Sequence, residues 1–491
     1  MVAKSLSGPS TPKASAASLL VRLLRLLPAG AKDAGWGSRP LKDRAFTRRT
    51  KPLIIRGARQ VGKSTLVRQL AEDARFALVE LNFERNPELR QAFASKEPAG
   101  ILTNLQLLTG RAVVAGQTLL FLDEIQAAPE ALAALRYFYE EMPRLHVIAA
   151  GSLLEFTLAE AQFSMPVGRV EYMYLGPLQF EDFLNAMQET ALVSWLHGVS
   201  LAQLRTTPMV RAVHDKFMEL LRQYWVVGGL PEAVASFAAD RNFTTVSRVH
   251  QSIVATYRDD FGKYSHGTLK DRVQIVFDQL PSLVGRKFKY SQVSHEHRAA
   301  ELAAALQQLC MARVAYKVHH TSANGVPLGA EADERNFKVL YMDVGLMCSA
   351  LHLSLLDLRR EDLSLVNDGA IAEQFIGQHL LYGYAWYETP TLYYWMREAK
   401  SAAAEVDYVI AQGQQVVPVE IKAGKTGTLK SLHRFLLEKQ RSLALRFNGD
   451  IPSLVRGSTQ TPDKTRLEFE LLSLPLYMVG QARRLVAARF V

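Results

Sequence analysis

Short unbroken apolar runs alternate with amphipathic stretches between about residues 52 and 180. The runs lie at 53–55, 76–82, 118–122 and 145–150. Continuous apolar character is what a strand covered on both faces requires, as in a parallel sheet. Residues 64–70 and 130–141 carry apolar positions at helical spacing instead. In the second of these, Leu132, Leu135, Phe138 and Tyr139 form a stripe that faces a core. The alternation predicts an α/β domain.

The pattern then changes twice. Residues 181–265 read as mainly helical, with a Gly-Gly-Leu-Pro turn at 228–231. Arg258, Asp259 and Asp260 close that stretch as a charged cluster, read as a solvated face. Residues 270–322 follow the order of a winged helix. A helix spans 273–284, a short strand or second-helix start lies at 290–293, and a candidate recognition helix spans 299–311 with a wing from 314. Such a helix can enter DNA, yet Ala303, Ala304, Leu306, Leu309 and Cys310 equip it equally for packing. From about 335 a strand at 339–343 precedes a helix at 370–381 and strands at 392–395, 406–410 and 415–421, the last two joined by a tight turn at Gly413.

With 491 residues, 48% hydrophobic and 22% charged, the chain has the composition of a globular protein of several domains. No run is long enough for a membrane-spanning helix. The net charge of +10 is local. Residues 1–51 hold 11 Lys or Arg against Asp33 and Asp43, which leaves 47 basic and 46 acidic residues elsewhere. A broad basic face for nucleic acid is therefore not implied. The N-terminal segment combines a low-complexity stretch, 5–18, with a basic amphipathic run, 19–27. A docking helix, a solvated tail and an organellar or membrane-surface segment compete for it. Cys310 and Cys348 stand far apart in apolar surroundings. They read as reduced core residues, which points to a cytoplasmic compartment.

Chemistry concentrates first at residues 57–64. Gly57-Ala58-Arg59-Gln60-Val61-Gly62-Lys63-Ser64 follows an apolar strand and opens a helix that continues with Thr65. Strand, glycine-rich loop and helix N-terminus together cradle a polyphosphate with backbone N–H groups. Lys63 is placed for the β- and γ-phosphates of ATP, and Ser64 for Mg²⁺. The run at 118–122 ends in Asp123 and Glu124. Asp123 is the candidate Mg²⁺ acid and Glu124 the candidate that orients the attacking water, because ligands sit at the carboxyl ends of strands in such sheets. Helix capping is the rival role for this pair. Ser152, after the strand at 145–150, is either a γ-phosphate sensor or a helix cap, and the two are compatible.

A second constellation lies near the other end. Glu420 and Lys422, two apart on one strand, share a face, and Asp407 on the facing strand completes an acid–acid–base group. Glu373 on the preceding helix offers a third carboxylate. Such a group suits Mg²⁺-assisted phosphodiester hydrolysis, with Asp407, Glu420 and Glu373 holding metal and Lys422 stabilising charge. A solvated edge-strand face is the rival account.

Residues 57–64, Phe121–Gln126, Gly151-Ser152-Leu153-Leu154 and Gly168-Arg169-Val170 with Leu175–Phe180 resemble a prokaryotic family of AAA+ ATPases. These carry a C-terminal domain related to the PD-(D/E)xK nuclease fold. The C-terminal similarity rests on Asp343–Leu346, Gly369–Glu373, Glu405–Ile410 and Glu420–Gly424. The proline of the nuclease motif is absent, since Val406 precedes Asp407. The resemblance covers roughly residues 40–450 and implies an ATP-binding module, a winged-helix-like middle and a restriction-endonuclease-like α/β end; with the chain's own pattern this divides it into an N-terminal segment 1–45, a P-loop ATPase core 46–190, a helical segment 191–268, a winged-helix-like unit 269–330, a nuclease-like domain 331–455 and an extension 456–491. It implies that Arg169 touches a neighbouring subunit's nucleotide, which requires a homo-oligomer. An ATP-driven switch acting on the C-terminal domain, an ATP-gated Mg²⁺ nuclease for DNA or RNA, and an ATP-controlled protein-interaction module are the three expectations.

Overall fold

The computed structural model describes residues 50–152, 154–159, 168–206, 209–265, 267–354, 368–397, 403–422, 429–460 and 466–490. The N-terminal segment, with its basic amphipathic run, lies outside them. Among the described residues no helix is long and apolar enough to cross a membrane.

Two sheets organise the chain. The first holds β1 (Leu53–Arg56), β2 (Ala77–Asn82), β3 (Thr118–Asp123), β4 (His146–Gly151) and β5 (Glu171–Tyr174) in the order β2-β3-β4-β1-β5. All of its pairings are parallel. Every residue of β3 and β4 is buried, which is why both read as unbroken apolar runs. Helix α1 (Lys63–Ala74) covers one face through Leu66, Val67 and Leu70; the helix Pro129–Glu141 covers the other through Leu132, Leu135 and Phe138.

The middle is helical, dominated by α2 (Arg211–Val227), α3 (Phe243–Tyr264) and α4 (Thr268–Leu283). The helix Ala299–Met311 buries Leu302, Ala305, Leu306 and Leu309. Its exposed positions include Ala300, Glu301, Ala304 and Gln307, so packing rather than charge dictates that sequence.

The second sheet is mixed and holds eight strands in the order β12-β13-β11-β10-β9-β8-β6-β7. They are β6 (Ala315–Thr321), β7 (Ala332–Tyr341), β8 (Tyr393–Arg397), β9 (Ala404–Gln412), β10 (Gln415–Ile421), β11 (Leu443–Asn448), β12 (Ser453–Gln460) and β13 (Arg466–Pro475). Two sequence expectations change here. The strand expected as a wing, β6, pairs with β7 on one edge and with β8 on the other, so hydrogen bonds cross the expected 330/331 boundary. The expected extension 456–491 supplies most of β12 and all of β13, at the far side of the same sheet.

The middle and the second sheet share one apolar core. Helix α5 (Val344–Ala350) abuts the 228–231 turn. Its N-cap, Asp343, is fully buried and accepts from Gly229 N at 2.7 Å, Gly345 N at 2.9 Å and Leu346 N at 3.1 Å. Gly228 has φ 72°, and a Cβ there would lie 2.1 Å from Asp343 Oδ1, so conformation and space both demand glycine.

Helix α6 (Asp368–Leu381) holds the start of the helix Phe180–Ala186, which follows the first sheet, through His379. The Phe180 N–H donates to His379 Nε2 at 2.9 Å, so Nδ1 carries the proton and donates to the Phe375 carbonyl at 2.8 Å. Burial lowers this imidazole to about 4 from its ordinary 6.5. Its folded pKa is depressed, so its contribution is complete above about 6.5 and is lost as pH falls toward 4. Asp182, pushed by burial up to about 7, has the opposite dependence. Relative to His379→Gln, the wild type is therefore expected to lose about 2 kcal/mol between pH 6.5 and 5 in urea denaturation.

Candidate functional site

The parallel register aligns four strand ends. Asn82 pairs with Asp123, Asp123 with Ala150, and Arg56 with Gly151. Asn82, Asp123, Ser152 and the loop that starts at Gly57 consequently line one edge of the first sheet. Helix α1 starts from that loop with Gly62 as a left-handed N-cap, φ 93°. Gln60 is exposed with φ 62°, whereas Ala58 and Val61 are buried. The loop therefore anchors by its apolar residues and turns its backbone outward.

Lys63 is 8% exposed and donates from Nζ to the carbonyls of Gly57 at 3.0 Å and Ala58 at 2.8 Å. Burial lowers its ammonium to about 8, opposed by the charges of Glu124 and Asp123. Ser64 donates to Asp123 Oδ2 at 3.0 Å, and Asn82 Nδ2 donates to the same oxygen at 3.3 Å. Burial, then the neighbouring Glu124 charge, raises the Asp123 carboxyl. A buried acid held beside a hydroxyl, its ionised form disfavoured by both causes, fits Mg²⁺; Ser64 and Asp123 would hold it. Glu124 sits in the left-handed region, φ 51° and ψ 46°, and its Oε2 accepts from Gln126 Nε2 at 2.7 Å. Thr65 follows in the first turn of α1.

Ser152 is buried, and its Oγ accepts from Arg59 Nε at 3.3 Å. Arg59 also lies 2.8 Å from Asp260 Oδ2 and 3.5 Å from Glu84 Oε1. The expectation of a solvated cluster at 258–260 is thereby corrected for Asp260, which is 5% exposed. Arg258 does remain on the surface, 2.8 Å from Asp278. Arg169 precedes β5, whose Glu171 is level with Leu53, so it lies at the sheet edge opposite the loop. It is paired there with Glu140 at 3.0 Å.

The C-terminal group assembles around two lysines. Tyr408 pairs with Val419, which sets Asp407 opposite Glu420 on antiparallel strands. Lys422 Nζ is 2.6 Å from Glu420 Oε1, and the Ile421 N–H donates to Asp407 Oδ2 at 2.6 Å. Glu373 lines the same cavity as Asp407 and is tied to a second lysine. Its Oε1 accepts from Lys338 Nζ at 2.8 Å, and the same ammonium lies 2.6 Å from Glu405. Among the described residues no three His, Cys, Asp or Glu side chains converge to hold a metal ion. A buried lysine needs carboxylate partners, and Glu373 and Glu405 supply them to Lys338. Burial pushes Glu373 and Glu420 each up to about 7. Glu420 Oε2 is buried without a hydrogen-bond partner. A cavity of about 270 Å³ opens beside Glu373 and Asp407 and is lined also by Ser282, Gly285 and Arg286.

Sequence reasoning missed Lys338, Asn82 and Arg59's partners. Lys338 did leave a signal, as a single lysine inside the apolar end of β7.

A parallel sheet with a phosphate loop after β1 and an acid at the end of β3, one strand removed, defines a domain of the P-loop ATPase class. Residues 49–184 match the family described as an AAA domain. Residues 218–357 and 368–472 match two domains of unknown function, DUF8612 and DUF4143, so no nuclease assignment comes with them. No curated protein matches the chain significantly. Among solved structures, a Walker-type ATPase of Pyrococcus abyssi is 16% identical, with 62% of this chain and 91% of that chain covered and a TM-score of 0.38. The ORC2 protein of Aeropyrum pernix, in ADPNP–ADP complexes, is 13% identical over 61% and 86%, with a TM-score of 0.31. The RuvB Holliday junction branch migration motor of Thermotoga maritima is 15% identical over 61% and 89%, with a TM-score of 0.25.

Proposed function

We propose that the chain binds ATP with Mg²⁺ at residues 57–65 and hydrolyses it, and that the nucleotide state acts on the C-terminal half as a switch. The observation that carries this is the 3.0 Å bond between Ser64 and Asp123, which fastens the loop helix to the acid at the end of β3, two strands from β1, beside a buried Lys63. Lys63 would leave the Gly57 and Ala58 carbonyls for the β- and γ-phosphates. Mg²⁺ would neutralise phosphate charge, while Glu124 orients the attacking water and Ser152 faces the γ-phosphate. The test is Mg²⁺-dependent phosphate release from ATP. Wild type is expected to turn over and Lys63→Ala to show none; equal release by both would refute the assignment.

A second reading concerns the C-terminal group. The orphaned Glu420 Oε2, opposite Asp407, favours a divalent cation there, with water completing its ligands. Lys422 would then stabilise charge on a phosphodiester. Cleavage of mixed DNA and RNA by wild type with Mg²⁺, lost in Lys422→Ala, supports it. An uncut substrate with and without ATP leaves the half as a protein-interaction module.

A further inference from the structure

The phosphate loop is gripped from outside its own domain. Ala58 and Val61 belong to the core shared by the middle helices and the second sheet, whereas the strands behind the loop pack in two other cores. From α3, the Tyr257 hydroxyl donates to the Arg59 carbonyl at 2.8 Å. One turn later Asp260 pairs with the Arg59 guanidinium at 2.8 Å. These side chains are well shielded, 19% exposed for Arg59 and 7% for Asp260. Backbone and side chain of one loop residue are therefore both held by the same helix.

Arg59 is also part of the loop's electrostatics. Its charge acts to lower the Lys63 ammonium, so two cations share the space a polyphosphate would enter. Its guanidinium reaches Ser152, at the strand end between the loop and Asp123. A guanidinium stays charged and needs an anionic partner when shielded from water. Asp260 is the nearer and more shielded such partner in the arrangement seen, at 2.8 Å against 3.5 Å for Glu84. A terminal phosphate entering beside Ser152 offers a stronger, bidentate one.

Resting on the ATP reading above, we propose that Arg59 exchanges Asp260 for the terminal phosphate of a bound nucleoside triphosphate. Helix α3 is held to the loop in the empty and diphosphate states and released in the triphosphate state. The clamp and the terminal phosphate then compete for one guanidinium. Weakening the clamp must strengthen triphosphate binding and leave diphosphate binding unchanged.

The test measures the affinities of a non-hydrolysable ATP analogue and of ADP, each with Mg²⁺, for the full-length wild type, Asp260→Asn and Tyr257→Phe. Asp260→Asn is expected to bind the analogue at least about fivefold tighter with ADP unchanged. Tyr257→Phe, which keeps the ion pair, shifts the same way by less. Backbone hydrogen exchange across 250–262 rises in wild type with the analogue and is already raised in Asp260→Asn without nucleotide. Unchanged or weaker analogue binding by Asp260→Asn overturns the exchange of partners, as does an equal change for both nucleotides. If Asp260→Asn does not fold, an unchanged Tyr257→Phe overturns it. Wild type that binds neither nucleotide sinks the ATP reading as well, a separate result from wild type that binds and variants that do not differ.

Discussion

Glu124→Gln is expected to lower ATP turnover by about 100-fold or more while ATP binding survives. The side chain follows Asp123 at the end of β3 and adopts φ 51°, a conformation that non-glycine residues rarely take. Gln126 Nε2 fixes one carboxylate oxygen at 2.7 Å. The other oxygen remains for water. Glutamine keeps size and the local bond pattern but cannot draw a proton from water. Phosphate release measured beside nucleotide affinity separates the two effects. Turnover within a few-fold of wild type would move the base elsewhere.

Asp343→Ala is expected to cost on the order of 3 kcal/mol or more of stability. The carboxylate accepts three backbone N–H groups, two opening α5 and one in the turn between α2 and the helix Pro231–Asp240. Alanine leaves all three donors buried without a partner. Water cannot replace the carboxylate easily, because Gly228 and Gly345 let the two segments approach to direct contact. Denaturant midpoints of wild type and variant provide the check. A change below about 1 kcal/mol would mean that this junction does not hold the middle to the second sheet.

The parts legible in the sequence were those written in contiguous residues. A strand, a glycine-bearing loop and a helix start occupy residues 53–74 without interruption, so their geometry follows from local pattern. Asp123 and Glu124 were legible because the apolar run they end is buried on both faces, which marks it as an inner strand. The contact between Tyr257 and Arg59 spans 198 positions, and no periodicity carries that information. Asp260 was misread for the same reason: an Arg-Asp-Asp cluster at a helix end has the composition of a solvated face, and only the packing of α3 on the loop buries its last member. The joining of the expected wing to the later sheet was not legible, because the β6–β7 hairpin is local, while the β6–β8 pairing joins His319 to Tyr393 across β7, α5 and α6. Lys338 went unnoticed because its carboxylate partners, Glu373 on α6 and Glu405 on β9, lie 35 or more positions away in the chain and meet it only in the folded structure.

Calorimetric titration of ATP with Mg²⁺ into wild type and into Lys63→Ala tests the central claim most directly. Saturable heat for wild type, weakened when Mg²⁺ is omitted and absent in the variant, is the expected result. No heat for wild type, or an unchanged isotherm after loss of Lys63, would contradict the account.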